Sequence, residues 1–176
     1  MINYTHQHYE VLNALLRDNN VIVLNKGVEV GVRHGDCAEY LCRNNPKLSL
    51  TLVDPYPPYM DVGYQFTEEE QLKIKKGAAK RLKYYAVTWV YEDSTKIAPL
   101  LENESLDFVF IDACHEYENV ITDINAWLPK IRPGGLLCGH DKDMDGVKKA
   151  TQELSTRLGK PLFTSDESTA VWAIEI

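Results

Sequence analysis

The fold is decided by the stretch Gly27-Val28-Glu29-Val30-Gly31-Val32-Arg33-His34-Gly35-Asp36. Its apolar run over residues 28–32 predicts a buried strand, and the glycines after it predict a turn into a helix. Glycine lets the backbone come close to a ligand, and the first turn of a helix offers free N–H groups. Such a segment is typical of a nucleotide cradle, but it also occurs in α/β domains that bind no nucleotide.

The glycine spacing is Glu29-x-Gly31-x-x-x-Gly35. It differs from the G-x-G-x-x-G of dinucleotide sites, which has a third glycine and cradles a pyrophosphate. An acidic residue ahead of the glycines suits a cationic ligand better than a phosphate. This spacing therefore disfavours an NAD-dependent oxidoreductase, and it resembles the first motif of class I S-adenosylmethionine (SAM) methyltransferases.

Length and composition predict one domain that spans residues 1–176, with an N-terminal helix within residues 1–20. The net charge of −7 disfavours a general nucleic-acid binder. The four cysteines show no C-x-x-C spacing, which predicts free thiols. No apolar run is long enough to cross a bilayer, and the first residues lack a signal-peptide pattern. We therefore expect a cytoplasmic protein that does not bind membranes.

The rest of the chain alternates between apolar runs and helical patterns. The runs predict strands near residues 48–53, 86–91, 106–111 and 136–139. Helices are expected over residues 9–17, 35–44, 67–83, 94–101, 117–131 and 146–158. The last two strands, near 162–164 and 170–174, have no helix between them and should form an antiparallel hairpin. Repeated β-α units of this kind predict a mostly parallel sheet with helices on both faces.

Acidic residues follow nearly every predicted strand. Asp54 and Asp112 come directly after one, Asp93 comes shortly after another, and His140-Asp141 follow the fifth. The carboxyl ends of parallel strands meet at one edge of the sheet, which is where ligands bind. Asp54 lies roughly 20 residues past the glycine turn, where a carboxylate can take ribose hydroxyls. The alternative is that each aspartate caps the following helix or begins a turn.

A block in the second half carries a more specific resemblance. It contains a D-x-x-H-x-Y motif over residues 112–117 and a P-G-G…G-H-D motif over residues 133–141. Together with the glycine turn and Val53-Asp54, these motifs resemble the small class I SAM-dependent methyltransferases. The resemblance implies an α/β, Rossmann-like three-layer sandwich, with a seven-stranded, mostly parallel sheet whose last strand is antiparallel. It also implies SAM as the methyl donor.

The resemblance places the donor along the strand ends. Gly31 and Gly35 would let the backbone approach its methionine portion, and Glu29 would orient its amino acid end. Asp54 would take the ribose hydroxyls. The residues expected beside the adenine and at the remaining rim of the site are Asp93, Ser94 and Asp112.

The resemblance extends to catechol-type and sugar O-methyltransferases. In the metal-dependent members an acid after the fourth strand binds the ion and a base three residues later takes the proton, which implies Asp112 and His115. Histidine replaces the lysine that is usual there, and the ordinary pKa of histidine suits a general base near neutral pH. Asp112, His140 and Asp141 are the expected ligands of Mg²⁺ or another divalent cation. Alternatively, His115 caps a helix, and His140 and Asp141 only shape a loop.

Residues 55–66 are rich in proline and aromatic residues, and we expect an ordered loop that closes as a lid over the acceptor. Its rings, Tyr56, Tyr59, Tyr64 and Phe66, can instead pack the loop onto the body or form a homodimer contact. The expected function is SAM-dependent methylation of an oxygen on a small-molecule or sugar acceptor. The alternative is a catalytically silent SAM- or nucleotide-binding partner subunit, which would have no need of Asp112, His115 and Asp141 together.

Overall fold

A seven-stranded sheet lies at the centre of the part of the chain that the computed structural model describes, residues 7–18, 25–61 and 64–176. Its strands are β1 (Lys26–Val30), β2 (Ser49–Val53), β5 (Val87–Val90), β6 (Leu106–Ile111), β7 (Ile131–Gly139), β8 (Phe163–Thr164) and β9 (Trp172–Glu175). Their spatial order is β5-β2-β1-β6-β7-β9-β8. The first five strands in this order run parallel, whereas β9 is antiparallel to β7 and β8 is antiparallel to β9. The predicted Rossmann-like sheet with an antiparallel end is confirmed.

Helices cover both faces of this sheet. They are α1 (His8–Asp18), α2 (Asp36–Asn44), α3 (Glu68–Leu82), α4 (Ser94–Ile97), α5 (Tyr117–Trp127) and α6 (Asp145–Leu158). One apolar core includes Leu12, Leu41 and Phe110, and a second core on the opposite face includes Trp127 and Leu154. The sheet therefore separates two cores, which gives the predicted three layers. Within the described ranges, no helix is both long enough and apolar enough to cross a bilayer. All four cysteines are free thiols, as expected.

The strand β7 begins earlier than the sequence pattern predicts. It starts at Ile131 rather than near residue 136, because α5 ends at Trp127 and a short 3-10 turn over Leu128–Lys130 follows. Arg132 supports this early start, since its Nε donates to Oδ1 of buried Asp107 at 2.7 Å. The Pro-Gly-Gly segment is therefore part of the strand and not a separate turn.

Residues 55–66 are more regular than the expected loop. Two short strands, β3 (Tyr59–Asp61) and β4 (Tyr64–Phe66), form an antiparallel hairpin, and the rings of Tyr59 and Phe66 stack 4.7 Å apart. Tyr56 is buried and its hydroxyl donates to the carbonyl of Arg33 at 2.9 Å, so this ring packs the segment onto the body. Residues 62–63, and residues 1–6 and 19–20 of the expected N-terminal helix, lie outside the described part, as does the side chain of Tyr64.

Candidate active site

The candidate site lies where the strand order reverses. The chain passes from β1 to β2 and β5 on one side and returns to β6 on the other side of β1. Backbone hydrogen bonds continue beyond the strand ends: the N–H of Asp112 donates to the carbonyl of Val30 at 2.8 Å, and that of His140 to Ile111 at 3.2 Å. The predicted residues after β1, β6 and β7 therefore share one edge, which is the usual ligand site of such a sheet.

The glycine turn brings two chain segments into close contact. Gly31 has a φ of 85°, and a Cβ atom built there would lie 2.1 Å from the carbonyl oxygen of Asp112. Gly35 has a φ of 75° and directly precedes α2. Both positions need glycine, because other residues rarely adopt such a φ and because a side chain at position 31 would collide with the neighbouring backbone.

Asp54 organises this turn. Its Oδ2 accepts the backbone N–H groups of Val32 and Arg33, each at 3.0 Å. Its Oδ1 accepts the N–H of Tyr56 at 2.8 Å. The turn after β1 and the segment after β2 are thus held by one carboxylate. The sequence predicts ribose hydroxyls as partners of Asp54, whereas the structure shows three backbone N–H groups.

Glu29 is a buried carboxyl group beneath the turn. Its side chain is 2% exposed, and Oε2 has no hydrogen-bond partner among the described residues. Burial raises the pKa of Glu29 well above its ordinary value, and the charges of Asp112, Asp54 and Asp36 raise it further. A buried acceptor without a partner is costly. It therefore fits a ligand that brings a hydrogen-bond donor or a positive charge.

Asp93 and Ser94 follow β5, on the β2 side of β1, and both side chains already have hydrogen-bond partners within the protein. The carboxylate of Asp93 caps α4 by accepting the N–H of Thr95 at 2.8 Å, and it also accepts the hydroxyl of Thr95 at 2.6 Å. The hydroxyl bond, and then the N–H bond, lower the pKa of Asp93. The hydroxyl of Ser94 donates to the buried carboxyl group of Asp123 on α5. The helix-capping alternative therefore holds for Asp93, and adenine contacts of these two residues stay a prediction.

The structure brings the predicted catalytic and metal-binding residues together. Nε2 of His115 lies 2.8 Å from Oδ2 of Asp141. Nδ1 of His140 lies 3.3 Å from Oδ2 of Asp141 and 3.6 Å from Oδ1 of Asp112. His115 stands ahead of α5, which begins at Tyr117. We call these four residues, Asp112, His115, His140 and Asp141, the His–Asp cluster.

Charges within the His–Asp cluster stabilise one another. Burial by itself would lower the pKa of His140, but hydrogen bonds and charges from Asp112 and Asp141 raise it to about 10. Hydrogen bonds from His115 and His140 hold the pKa of Asp141 well below its usual range. At neutral pH the cluster therefore contains an ionised Asp141 and a protonated His140.

One subset of the cluster has the geometry of a cation site. Ligand atoms of Asp112, His115 and Asp141 all lie within 4.8 Å of one another. The sequence predicts Asp112, His140 and Asp141 instead. Both sets keep the two carboxylates, and they differ in which imidazole accompanies them. Carboxylate oxygens with one imidazole suit Mn²⁺ and similar divalent ions as well as Mg²⁺.

Comparison with known proteins assigns the family. A family model described as a methyltransferase domain matches residues 28–142. The chain belongs to this methyltransferase family. The matched segment runs from the glycine turn to the His–Asp cluster, and it confirms the expected resemblance to SAM-dependent methyltransferases, whereas the D-x-x-H-x-Y subtype stays a prediction. A search of curated protein sequences finds no match.

Solved structures share the fold of this methyltransferase. The O-methyltransferase NovP matches with a TM-score of 0.70 at 14% identity, over 95% of this chain and 78% of NovP. TomG from Streptomyces achromogenes, an O-methyltransferase solved with SAM, matches with a TM-score of 0.65 at 17% identity, over 95% of this chain and 78% of TomG. CalS11, a TDP-rhamnose 3′-O-methyltransferase, matches with a TM-score of 0.66 at 15% identity, over 94% of this chain and 77% of CalS11. At these identities the likeness establishes the fold.

Sequence reasoning missed one residue that lies beside the His–Asp cluster of the methyltransferase. His8, the first residue of α1, has its ring centroid 4.4 Å from that of His140. Burial lowers the pKa of His8, and the charge of His140 lowers it further. No motif marks this position, because α1 precedes the matched family segment. Only the packing of α1 onto α2 brings His8 to the site.

Proposed function

We propose that this methyltransferase transfers the methyl group of SAM to a hydroxyl oxygen of a small molecule or sugar. The observation that carries the proposal is the His115–Asp141 pair, which stands at the same sheet edge as the glycine turn and Glu29. A donor bound over the turn would therefore present its methyl group near a base. Holding donor and acceptor in line is a large part of what such an enzyme must do.

The donor-binding residues fit SAM by charge and shape. The sulfonium and amino groups of SAM are cationic. Oε2 of Glu29 has no hydrogen-bond partner in the part of the chain that the structure describes, so it is suited to accept a hydrogen bond from this end of SAM. Gly31 and Gly35 have positive φ values and no side chain, which lets the turn pack closely against Asp112 and Leu82 and gives it its shape. Asp54 shapes the turn and remains our proposed ribose contact, with Asp93 and Ser94 beside the adenine and Asp112 at the rim.

The chemistry that we propose is a single displacement. The acceptor oxygen attacks the methyl carbon, the C–S bond breaks, and S-adenosylhomocysteine leaves. His115 takes the hydroxyl proton. Nε2 of His115 lies 2.8 Å from the carboxylate of Asp141, which favours the tautomer that carries its proton on Nε2 and its lone pair on Nδ1. Asp141 fixes that tautomer and stabilises the imidazolium ion formed by proton transfer.

A divalent cation is the second element of the proposal. Asp112 and Asp141 would hold it, with either His115 or His140 as the nitrogen ligand, and the compact arrangement favours His115. When bound, such an ion lowers the pKa of a coordinated hydroxyl group. A neutral imidazole has only one nitrogen with a free lone pair, so His115 cannot bind the cation and act as the base at the same time. Whether activity depends on a cation distinguishes these two roles.

The acceptor class is supported by the neighbours and by the hairpin. NovP and TomG are named O-methyltransferases, and CalS11 is named as acting on a nucleotide sugar. In this chain the β3–β4 hairpin follows Asp54 directly, and Tyr59 on it is exposed. We propose that the hairpin closes over a small acceptor. A homodimer contact through the same rings is the alternative, and sedimentation velocity distinguishes the two.

The test uses the purified chain with defined probes. Calorimetry should show binding of S-adenosylhomocysteine and SAM but not NAD. Transfer of a radiolabelled methyl group should then be measured to catechols and nucleotide sugars, each with Mg²⁺ and with excess EDTA. Transfer to any of these hydroxyls supports the proposal. Binding without transfer to any probe would favour the silent partner subunit, and the absence of donor binding would contradict both.

A further inference from the structure

The N-terminal helix α1 is firmly attached to the body of the protein. Leu12 and Leu16 are fully buried in the core that α1 shares with α2. The ring of Tyr9 lies 4.8 Å from that of Tyr40. These contacts fix the position of the first turn of α1 and thereby the backbone of His8.

His8 contacts two residues of the central strands. Its ring stacks at 6.1 Å on Phe110, which belongs to β6 and has no exposed surface. It also lies 4.4 Å from the ring of His140, which follows β7. His8 thus covers the junction between the apolar core and the His–Asp cluster.

The polar contacts of the His140 side chain are long. Its Nδ1 lies 3.3 Å from Asp141 and 3.6 Å from Asp112. Hydrogen bonds between charged groups of this kind are normally 2.7–2.9 Å long. The main chain of His140 is fixed, since Nε1 of Trp172 donates to its carbonyl at 3.2 Å. The two carboxylates attract the protonated imidazole, but neither contact is short enough to fix the orientation of its ring, which leaves this role to a packing contact.

We propose that His8 is a positioning residue that holds the imidazole of His140 against Asp112 and Asp141. Through His140 it keeps the carboxylate of Asp141 aligned with His115. The positioning itself is independent of the proposed function, whereas its effect on methyl transfer rests on that function. The N-terminal helix, which precedes the matched family segment, thereby becomes part of the site.

The experiment compares three variants by nuclear magnetic resonance. His8→Ala removes the ring, His8→Phe keeps a ring of similar shape without its nitrogen atoms, and Gln7→Ala changes an exposed neighbour. The Nδ1–H proton of His140 is observable only while it is shielded from exchange with water. We expect its signal in the wild type, in His8→Phe and in Gln7→Ala, and its loss in His8→Ala. An unchanged signal in His8→Ala, or no rescue by His8→Phe, would overturn the proposal.

Activity provides the second readout. Once an acceptor is found, His8→Ala should lower kcat roughly 10- to 100-fold, the scale of a small misplacement of reacting groups. His8→Phe should restore most of it, and S-adenosylhomocysteine should bind all variants equally. Equal losses of donor affinity and melting temperature in both His8 variants would indicate a purely structural residue and refute positioning. If the wild type transfers no methyl group, the proposed function fails while the resonance test still decides the role of His8.

Discussion

The imidazole of His115 and the carboxylate of Asp141 form one unit, with Nε2 and Oδ2 2.8 Å apart. The two residues follow different strands, β6 and β7, which lie side by side in the sheet. Asp141 has a φ of 56°, a conformation that non-glycine residues adopt infrequently. The left-handed backbone conformation of Asp141 therefore occurs at the residue whose side chain contacts both His115 and His140. Backbone strain of this kind often occurs at functional sites.

Replacing the proposed base should separate chemistry from donor binding. His115→Ala should reduce turnover by about 10²–10⁴-fold, the usual contribution of a positioned general base. S-adenosylhomocysteine affinity, measured by calorimetry, should stay nearly unchanged because the proposed partner of His115 is the acceptor hydroxyl and not the donor. Glu116→Ala, a change at an exposed neighbouring position, is the control and should keep full turnover. Full activity in His115→Ala would remove the base role.

The buried carboxyl group of Glu29 should make stability depend on pH. The folded state keeps its proton above the ordinary pKa of 4.5, at which the unfolded chain releases it. Stability is therefore lost as the pH rises from 4.5 toward the raised folded pKa, by about 1.4 kcal/mol per pH unit. Glu29→Gln lacks this loss, so it should be more stable than the wild type at pH 7 and lose that advantage below pH 4.5.

Urea unfolding at a series of pH values measures this difference. Glu167→Gln removes an exposed carboxylate and should show no comparable pH-dependent gain. A difference between Glu29→Gln and the wild type that stays constant across the pH series would contradict the assignment. The same variant should bind S-adenosylhomocysteine more weakly, because the amide cannot attract the cationic end of the donor as a carboxylate can.

Asp54→Ala should weaken both the fold and the site. It leaves the N–H groups of Val32, Arg33 and Tyr56 without their carboxylate partner. Loss of such bonds costs about 1–3 kcal/mol of unfolding free energy. Donor affinity should fall by a similar amount, since the turn and the proposed ribose contact both depend on Asp54. Calorimetry that finds unchanged affinity in a folded variant would exclude Asp54 from the donor site.

Two glycine substitutions should have opposite effects on stability. Gly31→Ala places a Cβ atom 2.1 Å from a backbone oxygen at a positive φ, and should destabilise by about 2–4 kcal/mol. Gly77 lies in α3, and apart from its own stretch of helix no atom of the described residues is within 4 Å of the added carbon, so Gly77→Ala should stabilise by about 0.5–1 kcal/mol. Thermal unfolding measures both. Similar effects of the two variants would mean that the turn does not require glycine.

Cation binding can be measured without an acceptor. Mn²⁺, followed by electron paramagnetic resonance, should bind the wild type and bind Asp112→Asn at least tenfold more weakly, because one of two charged oxygen ligands is lost. Asp143→Asn is the matched control, since Asp143 is exposed and pairs with Lys142. Equal Mn²⁺ affinity in all three proteins would place the ion elsewhere and leave His115 as the base alone.

Much of the architecture follows from local patterns in the chain. The apolar run before Gly31 and the alternation of strands and helices predict the parallel sheet, because side-chain periodicity reports which face of an element is buried. The positions of Asp54 and Asp112 after their strands also follow, since parallel strands end at one edge. The absence of a helix between the last two strands predicts the antiparallel end of the sheet, and the family resemblance implies it as well. The course of residues 55–66 and the early start of β7 were not predicted, because they depend on contacts of Tyr56 and Arg132 with distant residues.

The sequence by itself therefore determined the fold and the methyltransferase family, and it predicts the edge of the sheet at which a ligand binds. Only the tertiary structure decided how each acid at that edge is used. Asp54 is bonded to backbone N–H groups, Asp141 pairs with His115, and Oε2 of Glu29 lacks a hydrogen-bond partner within the described ranges of the chain. The physical reason is that spacing along the chain specifies which strand a residue follows, but not which atoms its side chain will contact. Hydrogen bonds form over about 3 Å, and their partners come from segments such as α1 that are brought together only by packing of the whole chain.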